Sequence, residues 1–325
     1  AFSSADVNEG DHRGTSTSGE QGGFLAVPPL PLRAALPIHK HREKILYALE
    51  HYPVLILVGE TGSGKSTQLP QMLDQAGWTQ HNQCVVCTEP RRLSAITLGR
   101  RVSEEMNVNI GEEVGYAVRF DEQCDKNGVK TAIKFATNLL LIRETFYDPL
   151  LSRYSVVIVD EAHERTSQSD VLLGLLKKIL RQRLSDFRVI ITSATADTDV
   201  MRDFFETATS SEEVRCRKSD QVCLLHVGGD LDYPVDIAYL QRPCRNYLFE
   251  TISTVLSIHS RESPGDILCF LPSEDDVKHA EVLLEQKLEQ DSGYGGASLR
   301  LFSLYDGMPL TQQMEIFEGG GSNLL

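Results

Sequence analysis

The stretch Val54-Leu55-Ile56-Leu57-Val58-Gly59-Glu60-Thr61-Gly62-Ser63-Gly64-Lys65-Ser66-Thr67 decides how this chain is read. Five apolar residues run into a glycine-rich turn ending in lysine and a hydroxyl residue, the pattern of a buried strand feeding a phosphate-binding loop. Glycines accept positive φ and let successive N–H groups curl around phosphate oxygens, and the helix that follows points its positive end at them. Lys65 is placed to reach the β and γ phosphates of a nucleotide, and Ser66 to offer its hydroxyl to Mg²⁺. Gly59, Glu60, Thr61, Gly62, Ser63, Gly64, Lys65, Ser66 and Thr67 are therefore the expected nucleotide-binding residues.

Outward from this loop, strand and helix alternate. A helix is expected over 38–52, with Ile38, Ile45, Leu46 and Leu49 at helical spacing, and another over 66–75, bent at Pro70. Strands at 83–88, 131–137, 155–160 and 187–192 are interleaved with helices at 93–106, 138–147, 169–183 and 197–206. Continuous apolar strands separated by helices specify an α/β fold with a parallel sheet covered on both faces, and a ligand belongs at the carboxyl ends of its strands.

Residues 1–33 are rich in Ser, Gly, Thr, Asp and Glu without apolar periodicity, and read as a disordered tail. Pro28-Pro29-Leu30-Pro31 closes it, either as a stiff linker or as a polyproline ligand. The periodicity weakens between 207 and 232, which places a first domain at 34–215 and a second at 216–325. In the second, strands are expected at 236–240, 266–271 and 300–305 and helices at 247–260, 274–289 and 310–317. Those are too few strands to complete a sheet.

With 325 residues, 41% of them hydrophobic, the chain is long enough for two cores. No apolar run approaches the length of a bilayer span, and no charged-then-apolar leader opens the sequence, so a soluble intracellular protein is expected. The first residue is Ala1, which leaves an earlier segment open. Seven cysteines at irregular spacing argue against a disulfide framework and for a reducing compartment. Cys84 and Cys87 form a CxxC inside an apolar strand, where they read as core residues and not as a metal pair. A net charge of −14 speaks against a general nucleic-acid binder. Any such binding needs a local patch, and Arg91, Arg92, Arg100, Arg101, Arg119, Lys130, Lys134 and Arg143 supply one or are ordinary solvated charges.

Ser155-Val-Val-Ile-Val-Asp160-Glu161-Ala162-His163 puts two carboxylates at the end of another apolar strand. One can support a Mg²⁺ shell while its neighbour orients a water for attack on a γ phosphate. At these residues the chain resembles a known family: Asp160-Glu-Ala-His163 spells the DEAH box, and the chain resembles the DEAH-box RNA helicases of pre-mRNA splicing and ribosome assembly. The resemblance runs over 36–317. Gly59 to Thr67 corresponds to motif I, Thr88-Glu-Pro-Arg91-Arg92 to motif Ia, Gly115-Tyr-Ala-Val-Arg119-Phe120 to an RNA-contacting hook, Ser193-Ala-Thr195 to motif III and Phe270-Leu-Pro-Ser273 to motif IV.

The resemblance implies two RecA-like domains, ATP or another NTP with Mg²⁺ as cofactors, and RNA, splicing or ribosome-assembly proteins and an activator protein as partners, in the nucleus or cytoplasm. It makes Glu161 the residue that polarises water and Asp160, with Ser66 and Glu161, the metal-side group. His163 and Ser193 would link phosphate state to domain closure. Arg101 and Phe317 would sandwich the base, and Arg91, Arg92, Arg119, Phe120 and Thr137 would touch RNA. The sequence departs from the family at Glu89, where glutamine is usual, at Asn138-Leu139 in place of Asp-Gly, and at Pro272-Ser273 in place of Thr-Gly. Glu89 is expected beside the RNA path, where an acid repels phosphate. Motifs V and VI are absent from these 325 residues, so full helicase activity is not expected of them alone; a nucleotide-binding module without turnover is the alternative.

Overall fold

The computed structural model of the chain describes residues 36–125, 130–195, 198–206, 221–228, 235–263, 265–290, 299–305 and 307–319. The tail expected at 1–33 lies outside them. Two compact units are present, one over Val27–Leu256 and one that includes Ser257–Leu325.

The first unit is built on an eight-stranded sheet: β1 (Val54–Gly59), β2 (Cys84–Glu89), β3 (Val114–Val118), β4 (Asp121–Gln123), β5 (Ile133–Thr137), β6 (Tyr154–Val159), β7 (Arg188–Ser193) and β8 (Val222–Val227). Their spatial order is β4-β3-β5-β2-β6-β7-β1-β8, and every pairing except β3 with β4 is parallel. All six residues of β1, β2 and β6 are buried. This is what continuous apolar strands between two helix layers require, each fully buried side chain contributing about 1.5–3 kcal/mol.

A 3₁₀ turn (Pro37–His41) leads into α1 (Arg42–His51); α2 (Lys65–Gln75), α3 (Arg92–Met106), α4 (Asn138–Tyr147), α5 (Ser167–Gln182) and α6 (Asp199–Glu206) follow in order. On one face Ile56, Val86, Val157 and Ile191 pack with Leu141 of α4, Leu172 and Leu176 of α5 and Phe205 of α6. α2 runs through Pro70 without interruption. Cys84 and Cys87 are both free and fully buried, as expected of core residues.

Three strands were not anticipated. β3 and β4 form a hairpin closed by Arg119-Phe120, with Val118 opposite Asp121. Gly115 is needed there because a Cβ would lie 2.4 Å from the Gln123 carbonyl oxygen. β8 falls inside the polar stretch beyond residue 215, yet pairs with β1 along its whole length.

The stretch 216–325, expected as a second domain, differs from expectation. α8 (Glu274–Gln290) and α9 (Leu310–Gly319) form, as does α7 (Tyr247–Arg261), which carries the division between units. The strands expected at 236–240, 266–271 and 300–305 do not form; these residues have no ladder partners among the described residues. A strand is stable only when neighbours take its N–H and C=O groups. Apolar alternation without them leaves Ile237, Tyr239, Leu268 and Phe270 exposed. Residues 299–305 instead lean on α8, Ser303 Oγ donating to Glu281 at 2.8 Å and Lys278 lying 5.0 Å from the Tyr305 ring centre. Ser273 caps α8: its Oγ accepts from the Asp276 N–H at 3.2 Å and donates to the Asp276 carboxylate at 2.6 Å. The serine at the motif IV departure thus starts a helix.

Candidate functional site

The strand order sorts the candidate residues. Gly59 ends β1, Ser193 ends β7 and Asp160 follows β6, three neighbouring strands. Arg91 follows β2, Thr137 ends β5 and Arg119 follows β3, the next three strands. One carboxyl edge therefore carries the phosphate chemistry on its β6-β7-β1 half and the basic residues on its β3-β5-β2 half.

In the loop after β1, Gly62 and Gly64 have φ of 85° and 94°, which β-carbon-bearing residues avoid. Gly64 is the N-cap of α2, so the loop's N–H groups and the helix's positive end converge. Lys65 Nζ donates to the carbonyl oxygens of Gly59 and Glu60 at 2.5 and 2.8 Å and to Ser63 Oγ at 3.3 Å. Burial lowers the Lys65 pKa, while the charges of Asp160, Glu161 and Glu60 oppose that shift. The ammonium is thus held over the loop facing the acidic pair.

Asp160 is buried, and its Oδ1 accepts from the Glu161 N–H at 2.9 Å and from the Thr192 hydroxyl. Its Oδ2 is buried and meets no N–H or alcohol donor among the described residues. An orphan carboxylate oxygen suits a hard cation, and with the Ser66 hydroxyl and Glu161 it makes an all-oxygen donor set that fits Mg²⁺. Glu161 has φ 51°, ψ 36°, a strained left-handed conformation for a non-glycine residue. Burial and then the charge of Asp160 raise its pKa, against His163 and Lys65. A carboxylate lifted in this way is a stronger base.

His163 Nδ1 lies 3.3 Å from Glu161 Oε2 and 3.3 Å from the Ala194 N–H. One nitrogen cannot donate to the carboxylate and accept from the amide at once, so the tautomer selects which partner is held. Ser193 Oγ accepts from the Thr195 N–H at 3.2 Å and donates to the Thr195 carbonyl at 2.9 Å, folding motif III back beside His163.

Glu89 is the main correction to the site. It is buried instead of facing solvent as an acid that meets RNA phosphate would, and ends β2 alongside Asp160 in the register that pairs Thr88 with Val159. Cys87, Glu89 and Asp160 bring their ligand atoms within 4.8 Å of one another. Burial first, and then the charge and hydrogen bond of Asp160, raise the Glu89 pKa well above the usual carboxylate range. The second departure is also reinterpreted. Asn138 and Leu139 form the first turn of α4 and neither has positive φ, so no glycine is needed there. Asn138 is fully buried with no partner for either side-chain amide atom.

Arg91 is largely exposed and reaches Glu164 at 3.3 Å, a surface pair of little energetic weight. Arg92 Nη2 donates to the Arg119 carbonyl at 3.0 Å, tying α3 to the hairpin tip. Phe120 is 88% exposed with φ 68°, and the Arg119 guanidinium lies 4.6 Å from its ring centre. Thr137, by contrast, is buried. Arg101 lies in α3 with its Nε donating to Glu105 at 2.7 Å. Phe317 falls in α9, its side chain outside the described residues. Sequence reasoning missed Glu105 and Thr192, whose roles arise only from contacts across elements.

Residues 39–204 match the DEAD/DEAH box helicase family. Over 287 residues the chain is 45% identical to a Homo sapiens protein named as an ATP-dependent RNA helicase, DHX35, matching 88% of this chain and 40% of that one. It is 40% identical over 282 residues to a Schizosaccharomyces pombe protein named as a pre-mRNA-splicing factor ATP-dependent RNA helicase, with 87% and 41% covered. The crystal structure of the Escherichia coli DEAH/RHA helicase HrpB is similar with a TM-score of 0.67 at 28% identity, covering 86% of this chain and 32% of that one. The chain spans about two fifths of the length of the curated relatives it matches.

Proposed function

The chain belongs to the DEAD/DEAH box helicase family, and from that premise we propose that it is the ATP-binding motor part of a DEAH-type RNA helicase, driving NTP-dependent remodelling of RNA or RNA–protein complexes. The observation that carries this reading is the convergence of Lys65 and the Asp160–Glu161 pair over neighbouring carboxyl ends of one parallel sheet.

Gly59 through Thr67 wrap the phosphates, and Lys65 exchanges the loop carbonyls it now holds for phosphate oxygens. Ser66, Asp160 and Glu161 hold Mg²⁺, which when bound neutralises charge on the phosphates. Glu161 accepts a proton from the attacking water, with His163 and Ser193 relating its state to the motif III loop. Arg101 takes one face of the base. Arg91, Arg92, Arg119, Phe120 and Thr137 form the RNA contact, which reads backbone and stacking more than sequence. Of the 216–325 expected as a partial second RecA-like domain, the part that falls in the second unit, Ser257–Leu325, is read as that domain. The splicing name of one relative supports a nuclear setting with splicing proteins as partners, and an activator protein is carried over from the family resemblance alone. Among the described residues no helix is long and apolar enough to cross a membrane.

The test is calorimetric titration of ATP and ADP with Mg²⁺ into this chain and its Lys65→Ala variant. The parent is expected to bind both nucleotides, and the variant at least about tenfold more weakly, the loss of one desolvated charge-assisted contact. Equal affinities in a folded variant would overturn the assignment. Anisotropy of a labelled single-stranded RNA, lost in an Arg92→Ala/Arg119→Ala double variant, tests the RNA half separately.

A further inference from the structure

Glu105 sits near the end of α3 with its side chain only 3% exposed. A carboxylate taken that far from water must be saturated by donors. Its Oε1 accepts from Arg101 Nε at 2.7 Å, one helical turn back. Its Oε2 accepts from Gln68 Nε2 at 2.8 Å and Gln71 Nε2 at 2.9 Å. Both glutamines belong to α2, and the Gln68 N–H closes the first turn of that helix on the Gly64 carbonyl at 2.8 Å. A single carboxylate thus joins the helix of the phosphate loop to Arg101. Burial pushes the Glu105 pKa up, but the hydrogen bonds from Arg101, Gln71 and Gln68 outweigh it and leave the group below the usual range, as a permanent anion.

The atom used on Arg101 matters. A hydrogen bond at Nε lies in the guanidinium plane, so it restricts the orientation of that plane without itself occupying either face. We propose that Glu105 is a positioning residue of the nucleotide site, holding the Arg101 plane against α2 so that base stacking and phosphate grip are aligned before nucleotide arrives. This rests on the reading of Arg101 as the base contact. Ordering an arginine side chain in advance removes a cost otherwise met on binding, worth about three- to tenfold in affinity.

The experiment compares ADP with inorganic tripolyphosphate, which has no base, each titrated with Mg²⁺ into the parent, Glu105→Ala, Glu105→Gln, Arg101→Ala and the Arg101→Ala/Glu105→Ala pair. Glu105→Ala is expected to weaken ADP about three- to tenfold and leave tripolyphosphate unchanged. Glu105→Gln, which keeps an acceptor for Nε, is expected to lose less, and it carries the test if the alanine variant does not fold. In the Arg101→Ala background the Glu105 substitution is expected to cost ADP nothing more. An equal loss for tripolyphosphate, or a further loss in that background, would show that Glu105 merely shapes α2 and would overturn the proposal. A normal Arg101→Ala effect with unchanged ADP binding by both Glu105 variants overturns the clamp alone; unchanged ADP binding by Arg101→Ala overturns the base contact beneath it.

Discussion

Glu89 and Asp160 stand side by side, both buried, where β2 meets β6. That junction is also where the basic half of the carboxyl edge meets the phosphate half. Burial and then the neighbouring charge of Asp160 both disfavour an ionised Glu89, and its carboxyl is shifted upward accordingly. An acid whose folded pKa is raised contributes stability that is complete below its unfolded pKa, near 4.5, and is lost as pH climbs through the folded value. Stability is therefore expected to fall as pH rises above about 4.5. Glu89→Gln removes the ionisable group in nearly the same shape. It is expected to flatten that slope and to gain on the order of 1–3 kcal/mol at pH 8, the usual cost of an uncompensated buried polar group. Urea unfolding of both proteins at pH 5, 6.5 and 8 checks this; parallel pH profiles would refute it.

Glu161→Gln keeps the size of the side chain and removes the base. Single-turnover hydrolysis is expected to drop about 10²-fold or more, with nucleotide affinity nearly unchanged, since glutamine keeps a carbonyl oxygen for Mg²⁺ and the ground state does not use the proton acceptor. Rates within about twofold of the parent would exclude Glu161 from that role.

Phe120 holds a left-handed backbone conformation at the second residue of a two-residue hairpin turn, a place glycine commonly fills. The strain is worth about 1–2 kcal/mol, and the ring is exposed, so packing does not repay it. Phe120→Gly is expected to keep or slightly raise the melting temperature while weakening single-stranded RNA binding by about 1–3 kcal/mol, the value of one stacked base. A lower melting temperature with RNA affinity intact would reverse the argument.

Gly115 admits no side chain, because the Gln123 carbonyl and Cys124 Sγ occupy the place of a Cβ. Gly115→Ala is expected to destabilise by about 1–3 kcal/mol, as overpacking does, and to splay the hairpin that carries Arg119. Thermal unfolding measures the first effect, and anisotropy with labelled RNA the second.

Arg91, Arg92 and Arg119 are exposed on the basic half. Removing any one that touches a phosphate is expected to lower the slope of log affinity against log salt by about 0.7. Titrations at four salt concentrations separate that outcome from a uniform loss caused by misfolding.

What the sequence made legible was local. The phosphate loop, the acidic pair and the helices from Arg92 to Glu206 declare themselves through adjacent residues and apolar period. β8 did not, because four apolar residues in a polar neighbourhood become a strand only when β1 offers its edge. The reverse holds at 236–240, 266–271 and 300–305, where strand-like alternation finds no partners. Glu89 was misplaced for the same reason. Its motif gives its neighbours in sequence, whereas its meaning comes from the register of β2 on β6. Glu105 carries no motif and is defined by two glutamines more than thirty residues away.

Cys84 and Cys87 lie on one central strand three residues apart, so they face opposite helix layers. Burial pushes the Cys84 thiol up to about 12 and Cys87 up as well, which leaves neither with thiolate at neutral pH. Cys244 and Cys269 are exposed. A thiol reagent will therefore tag the exposed pair at once and the central pair only when a helix layer lifts. The chain carries its own clock for opening on each side of the sheet, and the two rates can be read from one time course of mass spectra.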